Sequence, residues 1–182
     1  YIYIGMDHFA LPDDELVSAK NNGSLQRNFQ GYSTHADTDM IAMGITAIGK
    51  IGDSYSQNQR AENDYFDAID ADQLPIFQGY RLSDDDKLRR EVIQNLMCQG
   101  IVDFQSVSDQ FDIEFTVYFA EELKRLLPLA EDNLLQFDDT QIVVQPLGRL
   151  LLRNIAMVFD IYQQQTKKQQ FSRVIWTAEN PL

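Results

Sequence analysis

A chain of 182 residues with 44% hydrophobic content is long enough to bury a sizeable core, as one domain or two small ones. Its formal net charge is −13, split −7 over residues 1–83 and −6 over the rest, so both halves repel phosphate backbones and anionic lipid; neither nucleic acid nor a membrane is an expected partner. No apolar run approaches the roughly 20 residues of a membrane span, and a single cysteine gives no disulfide framework, which makes a reducing cytoplasm the simplest setting.

Residues 1–6 alternate, with Ile2, Ile4 and Met6 on one side, and predict a strand. Pro12-Asp13-Asp14-Glu15 starts a short helix with acid at its positive end, and Asn21-Asn22-Gly23 stops it. Phe29 to Thr34 reads as a short strand and turn, and Met40 to Ile48 as a second strand of small residues, with Gly49 and Gly52 at its exit. Strand, helix and strand in this order suit the last units of a βα barrel, where ligands gather at strand ends. Residues 1–59 are therefore assigned to the end of a barrel, and the polar stretch 60–83 to a linker with one helix near Ala61 to Ile69.

Ser83 caps the next helix. Asp84, Asp85 and Asp86 fill its first turn, Leu88, Val92 and Leu96 recur every four residues, and Gly100 ends it. A shorter helix follows Ser106. A third runs from Phe115 to Leu127 with Phe119, Leu123 and Leu126 inward and Pro128 as terminator. Leu134–Phe137 and Ile142–Val144 form a hairpin around Asp138-Asp139-Thr140. Pro146 opens a long helix to about Gln165, its apolar side made by Leu147, Leu150, Leu151, Ile155, Val158 and Tyr162. Residues 84–182 thus predict a mostly helical, winged-helix-like domain. A DNA-binding use of such a domain needs a basic recognition helix, which the charge of −6 opposes.

Several segments carry specific polar and aromatic residues in order: Ile4-Gly5-Met6-Asp7-His8-Phe9-Ala10, then Arg27-Asn28-Phe29-Gln30-Gly31-Tyr32, Gly52-Asp53-Ser54-Tyr55-Ser56-Gln57-Asn58 and Leu96-Met97-Cys98. Tyr118-Phe119-Ala120-Glu121-Glu122-Leu123, Gly148-Arg149-Leu150-Leu151-Leu152-Arg153-Asn154-Ile155 and Phe171-Ser172-Arg173-Val174-Ile175 follow. Together they resemble the oxygen-independent coproporphyrinogen III oxidases (dehydrogenases), radical S-adenosylmethionine enzymes of haem synthesis. The resemblance runs from Tyr1 to about Ile175. It implies a parent enzyme, monomeric, that decarboxylates two propionates of coproporphyrinogen III to vinyl groups through a 5′-deoxyadenosyl radical, with S-adenosylmethionine and a 4Fe-4S cluster as cofactors. The family holds its cluster in a Cys-x3-Cys-x2-Cys loop, and this chain has Cys98 alone. The expectation is a C-terminal portion of the longer enzyme, inactive by itself.

Phe29 and Gln30 offer a flat apolar face and an amide, the groups an adenosine needs. The resemblance places this pair, and Ile48 at a strand end, against S-adenosylmethionine. Ala42 and Gly49 stand where the family usually has glycine and serine. Asp7 and His8, next to each other after the first strand, are candidates for proton transfer or substrate binding, although successive strand side chains face opposite ways. His35 falls in a polar loop. Arg27, Arg149, Arg153 and Arg173 are candidates for the substrate propionates, since guanidinium grips carboxylate with paired bonds. Surface pairing with nearby acids is the plainer reading of each. Cys98 reads as a small buried hydrophobe. A haem-binding chaperone branch of the same family remains the alternative; its Asn-Phe/Tyr-Ala pattern is not matched by Asp7-His8-Phe9-Ala10.

Overall fold

The computed structural model describes residues 1–35 and 38–162, which divide into two compact units, one up to Gly100 and one from Ile101 on. In the first unit, β1 (Ile2–Gly5) and β2 (His8–Ala10) form an antiparallel hairpin, with Ile4 and Ala10 turned inward. Helix α1 (Glu15–Asn22) follows, capped by Asp14, whose side chain accepts from the Leu16 N–H at 2.8 Å. Its Val17 and Ala19 join Ile4, Ala10, Leu25 and Cys98 in one buried cluster. Lys20 Nζ crosses back to donate to the backbone oxygens of Tyr3 and Ile4, which fixes the helix to the first hairpin.

A second hairpin, β3 (Gln26–Asn28) and β4 (Gly31–Ser33), pairs Arg27 with Tyr32 and Asn28 with Gly31. Phe29 and Gln30 are its turn, so the turn precedes the strand where the sequence placed strand first. The predicted strand from Met40 to Ile48 does not form. Only Met40 makes an isolated bridge, to Lys50, and Gly44 and Thr46 adopt positive φ of 97° and 59°. Ile41, Met43 and Ile45 are exposed there, so no packed face holds the segment as an extended strand. Asn58 holds the segment instead: its Nδ2 donates to the Ala42 and Gly44 carbonyls at 3.2 and 2.9 Å, and its N–H to Ala47. The side chain is 4% exposed.

The strand begins at the end of that segment, as β5 (Ile48–Ile51), and pairs with β6 (Ser54–Asn58). After α2 (Glu62–Asp70), the polar stretch read as linker supplies a third strand, β7 (Ile76–Arg81), on the open side of β6. Its Ile76, Phe77 and Tyr80 are exposed. Among the described residues every strand pairing is antiparallel. Helix α3 (Asp84–Cys98) closes the unit, opened by a reciprocal cap in which Ser83 and Asp86 satisfy each other's backbone N–H.

The second unit starts with β8 (Ile101–Asp103) and α4 (Phe104–Phe111), which begins two residues ahead of Ser106 because Asp103 caps it. The helix expected over 115–127 is two, α5 (Phe115–Tyr118) and α6 (Ala120–Glu131). Pro128 lies inside α6 and does not end it. Proline removes one backbone donor, and the remaining turn closes through the Asp132 N–H to the Pro128 carbonyl. The predicted hairpin is present as β9 (Leu135–Phe137) and β10 (Gln141–Val144), tightened by the Asp138 carboxylate accepting from Thr140 and Gln141. β8 adds to its other side, so the wing has three strands in the order β8-β10-β9.

In place of one long helix from Pro146, a 3-10 turn (Gly148–Leu151) leads into α7 (Leu152–Ala156) and a second 3-10 turn (Met157–Phe159). Leu147, Leu150 and Leu151 are exposed, whereas Leu152, Ile155 and Phe159 are buried. Gly148 explains the irregular start: a Cβ there would sit 1.8 Å from the Leu134 carbonyl oxygen. The core of this unit is a chain of aromatic rings, with Phe104 stacked on Phe115 at 4.1 Å, Phe115 tilted against Phe119 at 4.8 Å and Phe119 edge-on to Phe159 at 5.4 Å. No helix among the described residues is long and apolar enough to cross a membrane.

Candidate functional site

The β3–β4 hairpin has a tight turn because the Asn28 side chain accepts from the Gln30 N–H at 2.8 Å, an Asx turn. Phe29 and Gln30 are thereby pushed outward, and Phe29 is 58% exposed, with its ring edge-on to Tyr55 at 5.3 Å. A large aromatic face held out by a turn, with a ring partner on one side only, is a surface for a flat ligand.

Two hollows meet at that ring. One is a cleft of about 720 Å³, lined by Arg27, Phe29, Gln30 and His35 together with Tyr55 and Arg90. The other, of about 340 Å³, is lined by Phe29, Ile48, Tyr55 and Tyr80. The structure therefore brings Phe29, Gln30 and Arg27 into one cleft, and Phe29 and Ile48 into the neighbouring hollow. The cleft's volume falls in the range of small-molecule sites.

Behind the hairpin, Tyr32 carries the connection to α3. Its hydroxyl donates to the Met97 carbonyl at 3.0 Å, and Arg27 lies over its ring at 5.9 Å. Burial pushes the Tyr32 phenol up to about 12, with the Cys98 thiol adding to the shift. Gly5 makes the space for it: a Cβ there would meet Tyr32 Oη at 2.2 Å. Gly31 does the same for His8, whose Nε2 would be 2.9 Å from a Cβ, and Gly31 has a φ of 135° that suits glycine alone.

His8 packs edge-on to Tyr32 at 5.1 Å, and its Nδ1 is 2.9 Å from an Asp7 carboxylate oxygen. Asp7 is exposed at the β1–β2 turn, and neither residue lines the two hollows. Arg149 sits on a 3-10 turn and Arg153 on α7, in the other unit, so the irregular backbone there removes the common helix face expected from their spacing. Arg173 lies outside the described residues.

Cys98 is buried, and burial pushes its thiol up to about 12, which keeps it protonated and unreactive. One protonated thiol does not fit an iron–sulfur cluster, which takes several thiolates. Among the described residues no group of three or more His, Cys, Asp or Glu converges on a point. Sequence reasoning missed Tyr55 and Arg90. Tyr55 lay inside a quoted segment as a strand residue. Arg90 had a signal: the helix offers it a carboxylate four residues back only at Asp86, already spoken for by the Ser83 cap.

Residues 82–151 match the family model described as the HemN C-terminal domain. Over 176 residues, 96% of the chain, it is 49% identical to an oxygen-independent coproporphyrinogen III oxidase of Escherichia coli, of which it covers 38%. It is 45% identical to the enzyme of that description from Thermostichus vulcanus, covering 54%, and 40% identical to one from Helicobacter pylori, covering 38%. The chain thus spans about two fifths of the length of most of these relatives. The solved structure of the Escherichia coli coproporphyrinogen III oxidase (HemN), described as a radical SAM enzyme, superposes with a TM-score of 0.86 and 49% identity over 89% of this chain and 37% of that one. The fold described above is accordingly that of the matching part of a radical SAM enzyme.

Proposed function

We propose that this chain, which carries the HemN C-terminal domain at residues 82–151 and is related over 96% of its length to the oxygen-independent coproporphyrinogen III oxidases, works as the C-terminal part of such an oxidase. The reaction is the oxidative decarboxylation of two propionates of coproporphyrinogen III to vinyls, in the cytoplasm. The observation that carries this reading is the placement of Phe29, at the tip of a hairpin, between two hollows that also take in Gln30 and Ile48.

The reading gives each group a task. Phe29 supplies a flat face for a nucleoside base, Ile48 a dry aliphatic contact at the start of β5, and Gln30 an amide for polar edges. When bound, S-adenosylmethionine supplies the reactive adenosyl group. The cluster belongs to a part of the oxidase other than these residues. Arg27 is retained as a candidate for a substrate carboxylate, and His8, packed on Tyr32 beside Gly31, as a residue that positions the hairpin. Arg149, Arg153 and Arg173 stay candidates for the remaining propionates, on the other unit or beyond the described residues.

The test is a chimera in which this chain replaces the matching 38% of the Escherichia coli relative. Anaerobic conversion of coproporphyrinogen III to protoporphyrinogen IX is expected, and Phe29→Ala in the chimera should weaken S-adenosylmethionine binding about 10-fold or more, the worth of one large apolar contact. A folded chimera that makes no product, together with stoichiometric haem binding by the chain, would favour the chaperone reading.

A further inference from the structure

The cleft beside Phe29 is lined by two arginines that each carry a buried guanidinium nitrogen without a hydrogen-bond partner among the described residues. Arg27 Nε and Arg90 Nη1 are both buried, and among the described residues neither has a hydrogen-bond partner and neither side chain forms an ion pair. Buried donors are nearly always paired, and a charged donor without an acceptor is the least tolerable case.

Helix α3 shows why Arg90 is left over. Its neighbour Arg89 bonds through Nε to both oxygens of Asp85, four residues back, at 2.9 Å each. The equivalent carboxylate for Arg90 is Asp86. That group already accepts from the Ser83 N–H at 2.8 Å, the Ser83 hydroxyl at 2.7 Å and the Tyr80 hydroxyl at 3.0 Å. Arg27 is held on β3 across the Tyr32 ring. The two carriers are tied together, because Gln94 Nε2 on α3 donates to Gln26 Oε1 at 2.9 Å and to the Arg27 carbonyl at 3.0 Å. Of the acids lining the cleft, Asp39 accepts from the Gly52 N–H and Glu91 from Asn95. Among the described residues, and with Lys50, the cleft has three cations against two carboxylates, in a chain of net charge −13.

We propose that Arg27 and Arg90 together recognise a ligand carboxylate in this cleft. Guanidinium suits the role because its fork meets both carboxylate oxygens. The inference rests on the oxidase reading for the body of the ligand, a porphyrinogen bearing propionates, and on the cleft alone for the carboxylate.

Two probes separate those parts. Coproporphyrin III, the stable oxidised porphyrin, is titrated by fluorescence against the chain, with its tetramethyl ester as the uncharged control. Tricarballylate, a small carboxylate with no ring, is titrated by calorimetry. Arg90→Gln and Arg27→Gln should each weaken both carboxylate ligands at least 10-fold, leave the ester unchanged and retain the native circular dichroism, while Arg90→Lys should recover part of the loss. Binding of tricarballylate but not coproporphyrin III by the native chain upholds the arginine pair and defeats the porphyrinogen reading. The pair is overturned if Arg90→Gln binds both carboxylates as native does, if it weakens the ester equally, or if the native chain binds neither carboxylate.

Discussion

Gly5→Ala should unfasten the hairpin that presents Phe29. The added methyl carbon would lie 2.2 Å from Tyr32 Oη and 2.7 Å from its Cζ. Comfortable contact between such atoms is about 3.5 Å, so the ring must retreat by roughly 1 Å. The hydroxyl's bond to the Met97 carbonyl, now 3.0 Å, would stretch past the useful limit of about 3.5 Å. Losing a partly buried hydrogen bond and leaving its acceptor unmatched costs about 1–3 kcal/mol, and crowding a filled site costs a similar amount. Because one movement relieves part of both, the expected loss is about 2–4 kcal/mol. Urea unfolding followed by far-ultraviolet circular dichroism would show this as a midpoint lowered by about 1 M or more. The cause is specific to one ring, so Tyr32→Ala should absorb most of the penalty, and the double variant should be more stable than the two single losses added together. A loss below about 0.5 kcal/mol for Gly5→Ala, or strict additivity with Tyr32→Ala, would refute the argument.

Ser83→Ala removes the side chain that accepts from Asp86 N–H, and should lower the stability of α3 by about 1 kcal/mol in the same unfolding assay. Cys98 is buried and its thiol is pushed up to about 12, so iodoacetamide at pH 8 should label it only after denaturant is added; mass spectrometry reads the difference. Alkaline pH should weaken the first unit. Cys98 and Tyr32 both hold their protons more tightly folded than unfolded, chiefly through burial. The stability they contribute is therefore complete below about pH 9, their lower unfolded value, and lost as pH rises towards about 12. Tyr32→Phe with Cys98→Ala should flatten the decline in urea midpoint between pH 9 and 11.

The parts legible in the sequence were those in which neighbouring residues decide the outcome. Ser83 and Asp86 announced the cap of α3, Asp138 the turn of the β9–β10 hairpin, and the four-residue spacing of Leu88, Val92 and Leu96 the buried side of α3. What failed depended on contacts from afar. The stretch from Met40 to Ile48 was taken for a strand because its residues are small and apolar, yet its path is dictated by Asn58 and by the Tyr65 hydroxyl, to which the Gly44 N–H donates. The continuity of the helix after Pro146 was overruled by the Leu134 carbonyl lying against Gly148. β7 looked like linker because its strand character comes from pairing with β6, and its faces are exposed. Around the cleft, Phe29, Gln30, Ile48 and Arg27 were candidates through family resemblance, whereas Arg90 was passed over although the Ser83 cap already claimed Asp86, its carboxylate four residues back.

The amide of Asn58 stores the shape of a segment that lies more than ten residues before it. Its nitrogen donates to two carbonyls at once, so Asn58→Asp would turn the same contact into repulsion between oxygens. Conformation and the instruction for it are thus written at different addresses in the chain. Transplanting residues 40–47 into a relative would carry the text without the key unless position 58 travelled with it, and the hollow beside Ile48 would take its form from whichever residue the host already had there.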